Sequence, residues 1–124
     1  MSASRSILIV EDEPLIAMML EDFLDSLGHR IAGIVDSVAE AMAKIDEGGF
    51  DLAILDVHLK GEHVWPIADR LLEEGVPFVF ATGGHIEPPP PAHAAAPVLA
   101  KPYTIDAIEP ALAAACANGS SAAG

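Results

Sequence analysis

Apolar and polar positions follow two rhythms along this chain: short unbroken aliphatic runs, and longer stretches in which apolar residues recur at helical spacing. Ile7-Leu8-Ile9-Val10, residues 31–35, Leu52-Ala53-Ile54-Leu55, Phe78-Val79-Phe80-Ala81 and Val98-Leu99-Ala100 are the aliphatic runs, each short enough to be a buried strand. Between the first two, Leu15, Ile16, Met19, Leu20, Phe23, Leu24 and Leu27 fall on one helical stripe, with Pro14 suited to a first turn and Gly28 to a C-terminal cap. Ser37-Val38-Ala39-Glu40 has the capping-box pattern and opens a second helix to about residue 47, closed by Gly48-Gly49. A third helix is predicted over about 62–74, with Val64, Ile67, Ala68, Leu71 and Leu72 inward and Gly75 as its stop. A last helix is predicted from Thr104 to about Ala117, with a kink or a late start at Pro110.

Strands alternating with helices in this way predict an α/β protein. A five-stranded parallel sheet, doubly wound, carries (βα)5 connections on both faces. The fourth helix is the exception. Gly83-Gly84 and the run Pro88 to Pro91 leave room only for a shortened or irregular one, because each proline removes a backbone donor. A chain of 124 residues suits one domain, here with a core over about 6–117 and a flexible, small and polar tail over 118–124.

In open parallel sheets, sites form outside the carboxyl ends of the strands. The first strand runs into Glu11-Asp12, the third into Asp56, the fourth into Thr82 and the fifth into Lys101. The fold would gather these groups at one edge. Each pair of carboxylates held about 4 Å apart costs roughly 4 kcal/mol at an effective dielectric near 20. Such a cluster makes sense around a hard cation. An all-oxygen donor set completed by water suits Mg²⁺. Lysine binds phosphate as a point charge, and a threonine hydroxyl can donate to a phosphoryl oxygen. Together these groups suit phosphoryl transfer to an aspartate, with Asp56 supplying the attacking oxygen.

Charge and composition narrow the partners. The formal net charge of −13 disfavours nucleic acid, whose phosphates would repel the chain. It fits a basic partner or a cation. One cysteine, Cys116, gives no intramolecular disulfide, and no run is long and apolar enough for a bilayer. No signal segment opens the chain, so the expected location is cytoplasmic, away from membranes.

With these motifs in order, the sequence resembles the receiver domain of two-component response regulators, over about residues 6–117. The resemblance implies a flavodoxin-like receiver fold and a single-domain response regulator, without an output domain, acting by partner binding or as a phosphate sink. It implies that Asp56 is the phosphoacceptor, fed by a sensor histidine kinase or a histidine phosphotransfer protein, and that an unidentified protein reads the signal downstream. Asp12 and Asp56 would be Mg²⁺ ligands, with Glu11 acting directly or through water and the backbone carbonyl of His58 as a further ligand. Lys101 would contact the phosphoryl group, its bond to Pro102 being cis, and Thr82 would act with it. Gly83 would leave room for the donor. Self-phosphorylation and autodephosphorylation would be its only chemistry, so it is not expected to be an enzyme. Pro77-Phe78-Val79-Phe80-Ala81-Thr82-Gly83 further resembles the signature of the "FAT GUY" subfamily of stand-alone receivers described in alphaproteobacterial stress signalling, with Gly84 where that motif carries a bulkier residue. Most receivers carry an aromatic switch residue where this chain has Val98. Tyr103 is the nearest substitute, expected to pack on a mobile segment over about 83–97 that orders when Thr82 binds phosphoryl oxygens.

Two rival readings use the same residues. One is a receiver-like interaction module that is not phosphorylated, which the intact Asp12, Asp56, Thr82 and Lys101 oppose. The other is a small haloacid-dehalogenase-type phosphohydrolase. That class places its nucleophile after the first strand and a second aspartate two positions on, where this chain has His58 after Asp56. The remaining conspicuous residues read as structural. His58, His63, His85 and His93 are scattered and solvated, Trp65 and Tyr103 pack, Met18, Met19 and Met42 are core or half-buried filler, Cys116 is packed, Glu13 serves a helix N-terminus, and Pro88 to Pro91 connect.

Overall fold

The computed structural model describes residues 4–59, 61–82, 96–100 and 103–123. Five strands, β1 (Ser6–Val10), β2 (Arg30–Val35), β3 (Leu52–Asp56), β6 (Phe78–Thr82) and β7 (Val98–Ala100), pair in parallel in the order β2-β1-β3-β6-β7. The order reverses between β1 and β3, so the switch point lies between their carboxyl ends. Strand side chains alternate between faces, and the two faces make two cores. Ile7, Ile9, Leu52, Ile54, Val79, Ala81 and Leu99 pack with α1 (Pro14–Ser26) and α4 (Ile105–Ala123). Leu8, Val10, Ala53, Leu55, Phe78 and Phe80 pack with α2 (Val38–Glu47) and α3 (Trp65–Glu74). Strands β3 and β6 are buried at every position, which is why they read as unbroken apolar runs.

Local chemistry sets the helix ends. Pro14 opens α1, and Gly28 just past it takes a positive φ of 88°. At α2 the Glu40 N–H donates to Ser37 Oγ at 3.2 Å, while Glu40 Oε1 accepts from the Asp36 N–H at 3.3 Å. The return bond of the capping box therefore reaches one residue further out than the usual pattern.

Several expectations need correction. Helix α3 begins at Trp65, not near 62, because the chain first folds into a short antiparallel pair, β4 (His58–Leu59) with β5 (Glu62–His63). Gly61, at a φ of 78°, makes the reversal, and burial of Val57, Leu59 and Val64 holds the pair against the sheet. Leu72 is 47% exposed, because Ile67, Ala68 and Leu71 already fill the inner stripe of α3. On α1 the inner stripe is Ala17, Leu20 and Leu24, leaving Leu15 and Met18 on the solvent side, 79% and 57% exposed. Helix α4 starts at Ile105 with Pro110 inside it, so no late start occurs. Burial of Ile108, Ala111, Leu112 and Ala115 offsets the lost bond. The same helix continues to Ala123, past its expected end near Ala117. The proline run, the expected irregular fourth helix, His85, His93 and the Lys101–Pro102 bond lie outside the described residues. No helix among the described residues is long and apolar enough to cross a membrane.

His29 is a polar residue in the core. It is buried, its Nδ1 accepts the Arg5 N–H at 3.1 Å, and its Nε2 bonds Glu109 Oε1 at 2.8 Å. Because Nδ1 accepts, the ring proton sits on Nε2, which donates to Glu109. One imidazole thus ties the start of β1 to α4. Replacing it with leucine leaves a part-buried backbone donor without its acceptor, so His29→Leu should destabilise the fold by about 1–2 kcal/mol. His29→Gln, which can accept and donate along similar lines, should recover part of that loss. Urea denaturation of the three proteins measures both.

Candidate carboxylate and phosphoryl site

The site grows out of the strand register. Asp56 is the last residue of β3 and stands opposite Ala81 of β6. Glu11 follows β1, and its N–H donates to the Val35 carbonyl at 3.0 Å, which fixes the chain as it leaves the sheet. Glu11 Oε2 accepts the Glu13 N–H at 3.1 Å, so one carboxylate oxygen is held by the residue that caps α1. Glu13 is the helix-terminal group expected of it. Glu11 and Asp56 are buried, and Asp12 is half-buried.

Glu11, Asp12 and Asp56 each offer a carboxylate oxygen such that the three lie within 4.8 Å of one another, the one such group among the described residues. Three negative oxygens so close, two of them on buried residues, favour a bound cation. The donor set is oxygen only, which fits Mg²⁺ in its ordinary chemistry. His58 lies two positions beyond Asp56, with its backbone in β4 opposite His63.

Thr82 ends β6 one residue beyond the partner of Asp56 and stands opposite Ala100. It is buried, and its hydroxyl has no hydrogen-bond partner among the described residues. A buried hydroxyl in that state is a group waiting for a ligand. Lys101 follows Ala100 directly but lies outside the described residues, as do Gly83 and Gly84. The structure thus brings together Glu11, Asp12, Asp56 and Thr82, and it puts the residue before Lys101 at the same sheet edge.

Tyr103 is buried in the α1/α4 core with Val79, Ala81 and Leu99. Burial pushes its phenol pKa up, and the charges of Glu11, Asp56 and Glu13 push it the same way, so the phenol stays protonated in the field of the site. Most of the 83–97 segment it was expected to cover lies outside the described residues. Val98 is 50% exposed on the edge strand, so the usual aromatic position carries a small aliphatic at the surface.

Sequence reasoning treated His63 as solvated and Trp65 as ordinary packing. The two rings stack at 5.7 Å with planes 6° apart, and Trp65 meets Phe80 edge-on at 5.4 Å. Phe80 shares a face of β6 with Thr82 by alternation, so this aromatic row ends beside the site. The signal available was the His63-x-Trp65 spacing beside the third strand's loop, but its meaning depends on the β4–β5 turn that the helical reading overran.

Comparison with known proteins agrees with this geometry. Residues 7–113 match the family described as Response regulator receiver domain. The solution structure of SdrG from Sphingomonas melonis Fr1 is 53% identical, covering 94% of this chain and 99% of that one, with a TM-score of 0.83. The BeF3-activated conformation of SdrG, given there as from Pseudomonas melonis Fr1, is 51% identical, covering 92% of this chain and 98% of that one, with a TM-score of 0.75. The Phyllosphere-induced regulator PhyR of Methylorubrum extorquens is 35% identical over 82 residues, which is 64% of this chain and 31% of that protein. The matches span about a third or less of the length of such curated relatives. The family match removes the dehalogenase-type reading. With acidic strand ends, an aspartate at the switch point and a match along 7–113, the chain belongs to the response regulator receiver domains of two-component systems.

Proposed function

We propose that this receiver takes a phosphoryl group onto Asp56 from a phosphohistidine on a sensor histidine kinase or a histidine phosphotransfer protein. One observation carries the reading: Asp56 shares a 4.8 Å cluster with Glu11 and Asp12, and Thr82, whose hydroxyl has no hydrogen-bond partner among the described residues, stands one position past its cross-strand partner. Receiver domains are phosphoacceptor signalling domains that generally use Mg²⁺ at such an acidic pocket and meet kinases, phosphotransfer proteins and downstream effectors. Here Asp12, Asp56, the His58 carbonyl, and Glu11 directly or through water would hold the ion. When bound, Mg²⁺ offsets negative charge on the carboxylates and on the incoming phosphoryl oxygens.

The chain's own residues do the rest. An Asp56 carboxylate oxygen attacks phosphorus in line. The phosphorus–nitrogen bond to the donor imidazole breaks, its electron pair stays on that nitrogen, and an acyl phosphate forms. Thr82 donates its hydroxyl to one phosphoryl oxygen, and Lys101 places a positive charge on another. Glu11 is braced by the Glu13 N–H and offers a carboxylate oxygen to the cluster. Water later hydrolyses the acyl phosphate. The output is a change in what the protein binds, or the removal of phosphoryl groups from a shared kinase. The protein works in the cytoplasm, and its charge keeps it off nucleic acid.

Incubation with acetyl phosphate and Mg²⁺ should add one phosphoryl group, seen by intact mass. Asp56→Asn should abolish the adduct while keeping the fold, since the side-chain volume is unchanged. Uptake of one group by the Asn variant at the wild-type rate overturns Asp56 as acceptor. No adduct on the wild type favours the unphosphorylated interaction module.

Mg²⁺ binds the folded cluster and scarcely binds the open chain. At about 100 times its dissociation constant it should therefore add roughly 2.7 kcal/mol of stability. Asp12→Ala should remove most of this gain. Thermal melts with and without millimolar Mg²⁺ measure it, and an unchanged wild-type midpoint counts against the ion.

A further inference from the structure

Trp65 touches the strand that carries Thr82 without taking part in the chemistry itself. Its backbone is fixed at the start of α3, where Val64 before it and Ile67 after it are fully buried and Pro66 suits the first turn. From there the indole meets Phe80 of β6 edge-on, with ring centroids 5.4 Å apart. His63 stacks on the same indole, with centroids at 5.7 Å. Phe80 is 1% exposed and stands opposite Leu55, the residue before Asp56. Thr82 follows two positions on, so its side chain leaves β6 on the same face as Phe80. The Val57 N–H donates to the Ala81 carbonyl at 3.0 Å and ties the chain after Asp56 to β6. That bond sets how far apart the two strand ends lie. The height of the Thr82 side chain above the sheet is left to the packing next to it, and Trp65 on Phe80 is that packing. We propose that Trp65 is a positioning residue: its ring, set against Phe80, holds the end of β6 so that the Thr82 hydroxyl meets a phosphoryl oxygen on Asp56. This rests on the phosphoacceptor reading above. Glu11, Asp12 and Asp56 come from the ends of β1 and β3, whereas the ring contact is to β6, so the effect falls on the phosphoryl group and not on Mg²⁺.

The test is a double-mutant cycle on the affinity for beryllofluoride, a phosphoryl mimic, measured by titration calorimetry at saturating Mg²⁺. Mg²⁺ affinity is followed separately by thermal melts. Thr82→Ala loses a hydrogen bond to a charged group and should weaken beryllofluoride by about tenfold. Trp65→Leu keeps an apolar residue but not the ring. It should lose part of that same hydrogen bond, weakening beryllofluoride by about fivefold, while Mg²⁺ affinity stays near wild type. Trp65→Phe, which keeps a ring for the edge-on contact, should restore most of the loss. In a Thr82→Ala background, Trp65→Leu should cost nothing further, because its effect passes through the hydroxyl. Wild-type beryllofluoride affinity in Trp65→Leu, additive losses in the double variant, or a Mg²⁺ affinity that falls in step each overturn the role. If Trp65→Leu does not fold, Trp65→Met, whose flexible side chain fills irregular space, is read against the same outcomes. A wild type that takes no phosphoryl group from acetyl phosphate and binds no beryllofluoride fails the phosphoacceptor reading itself, and the role of Trp65 falls with it. A wild type that does both, with Thr82→Ala weakened and Trp65→Leu unchanged, removes Trp65 alone.

Discussion

Mutual repulsion among three carboxylates is the constraint around which this domain is arranged. Glu11, Asp12 and Asp56 bring oxygens within 4.8 Å of one another at the edge of a sheet whose interior is aliphatic. Nothing local favours that arrangement. It is imposed by register: Val10 stands opposite Leu55, so the next residue on each strand enters the same crevice. The energy that holds the register comes from the two cores. Ile7, Ile9 and Ile54 are sealed on one face, and Leu8, Val10 and Leu55 on the other. Burying one such side chain is worth about 1.5–3 kcal/mol, so a handful of them outweighs each carboxylate pair. The site is strained electrostatically and rigid mechanically, a combination that favours binding a cation over relaxing.

The same physics decides what could be read from the residues alone. Strands β1, β3 and β6 were legible because both faces are covered, which leaves no polar position inside the runs. The carboxylate cluster was legible because a parallel sheet sends all its carboxyl ends to one edge. The start of α3 was not. Glu62 and His63 belong to a turn made by Gly61 and held by buried Leu59 and Val64, a tertiary preference that local helical spacing does not encode. Leu15, Met18 and Leu72 were misplaced because an aliphatic at the edge of a helical stripe has no local mark saying which side the sheet is on. His29 drew no attention, since its role depends on Arg5 and on Glu109, eighty positions away. A late start at Pro110 does not occur, because packing of Ile108 and Leu112 on the sheet holds the first turns of α4.

Aromatic residues are few in this chain, and their placement is uneven. Trp65, Phe78 and Phe80 lie together on the α2/α3 side with His63 stacked outside them. Tyr103 lies on the α1/α4 side, where Phe23 packs against the same core. Strand β6 runs between the two groups and ends on Thr82. Where Val98 leaves the edge strand without a ring, aromatic mass is concentrated instead on the two faces of the strand that carries the hydroxyl. Strand β6, which ends on Thr82, therefore has rings packed on both of its faces.

Strand order also explains why the end of β6 carries a residue as small as threonine. Asp56 ends β3 and Ala100 ends β7, with β6 between them. Adjacent strands are about 4.8 Å apart, so the chain just past Ala100 starts about 10 Å from the nucleophile's strand. On the proposed phosphoacceptor reading, a cation serving Asp56 from there would cross the end of β6. Lysine has the flexible four-carbon stem to do so, and a bulky residue at position 82 would stand in its way. On that reading Thr82 would leave the path open and add a donor along it. A long stem gains reach at the cost of rotamer freedom, about 1.5–2 kcal/mol when it is ordered. That cost falls if the backbone at its base is already fixed, and Leu99, two positions before Lys101, is buried in the sheet.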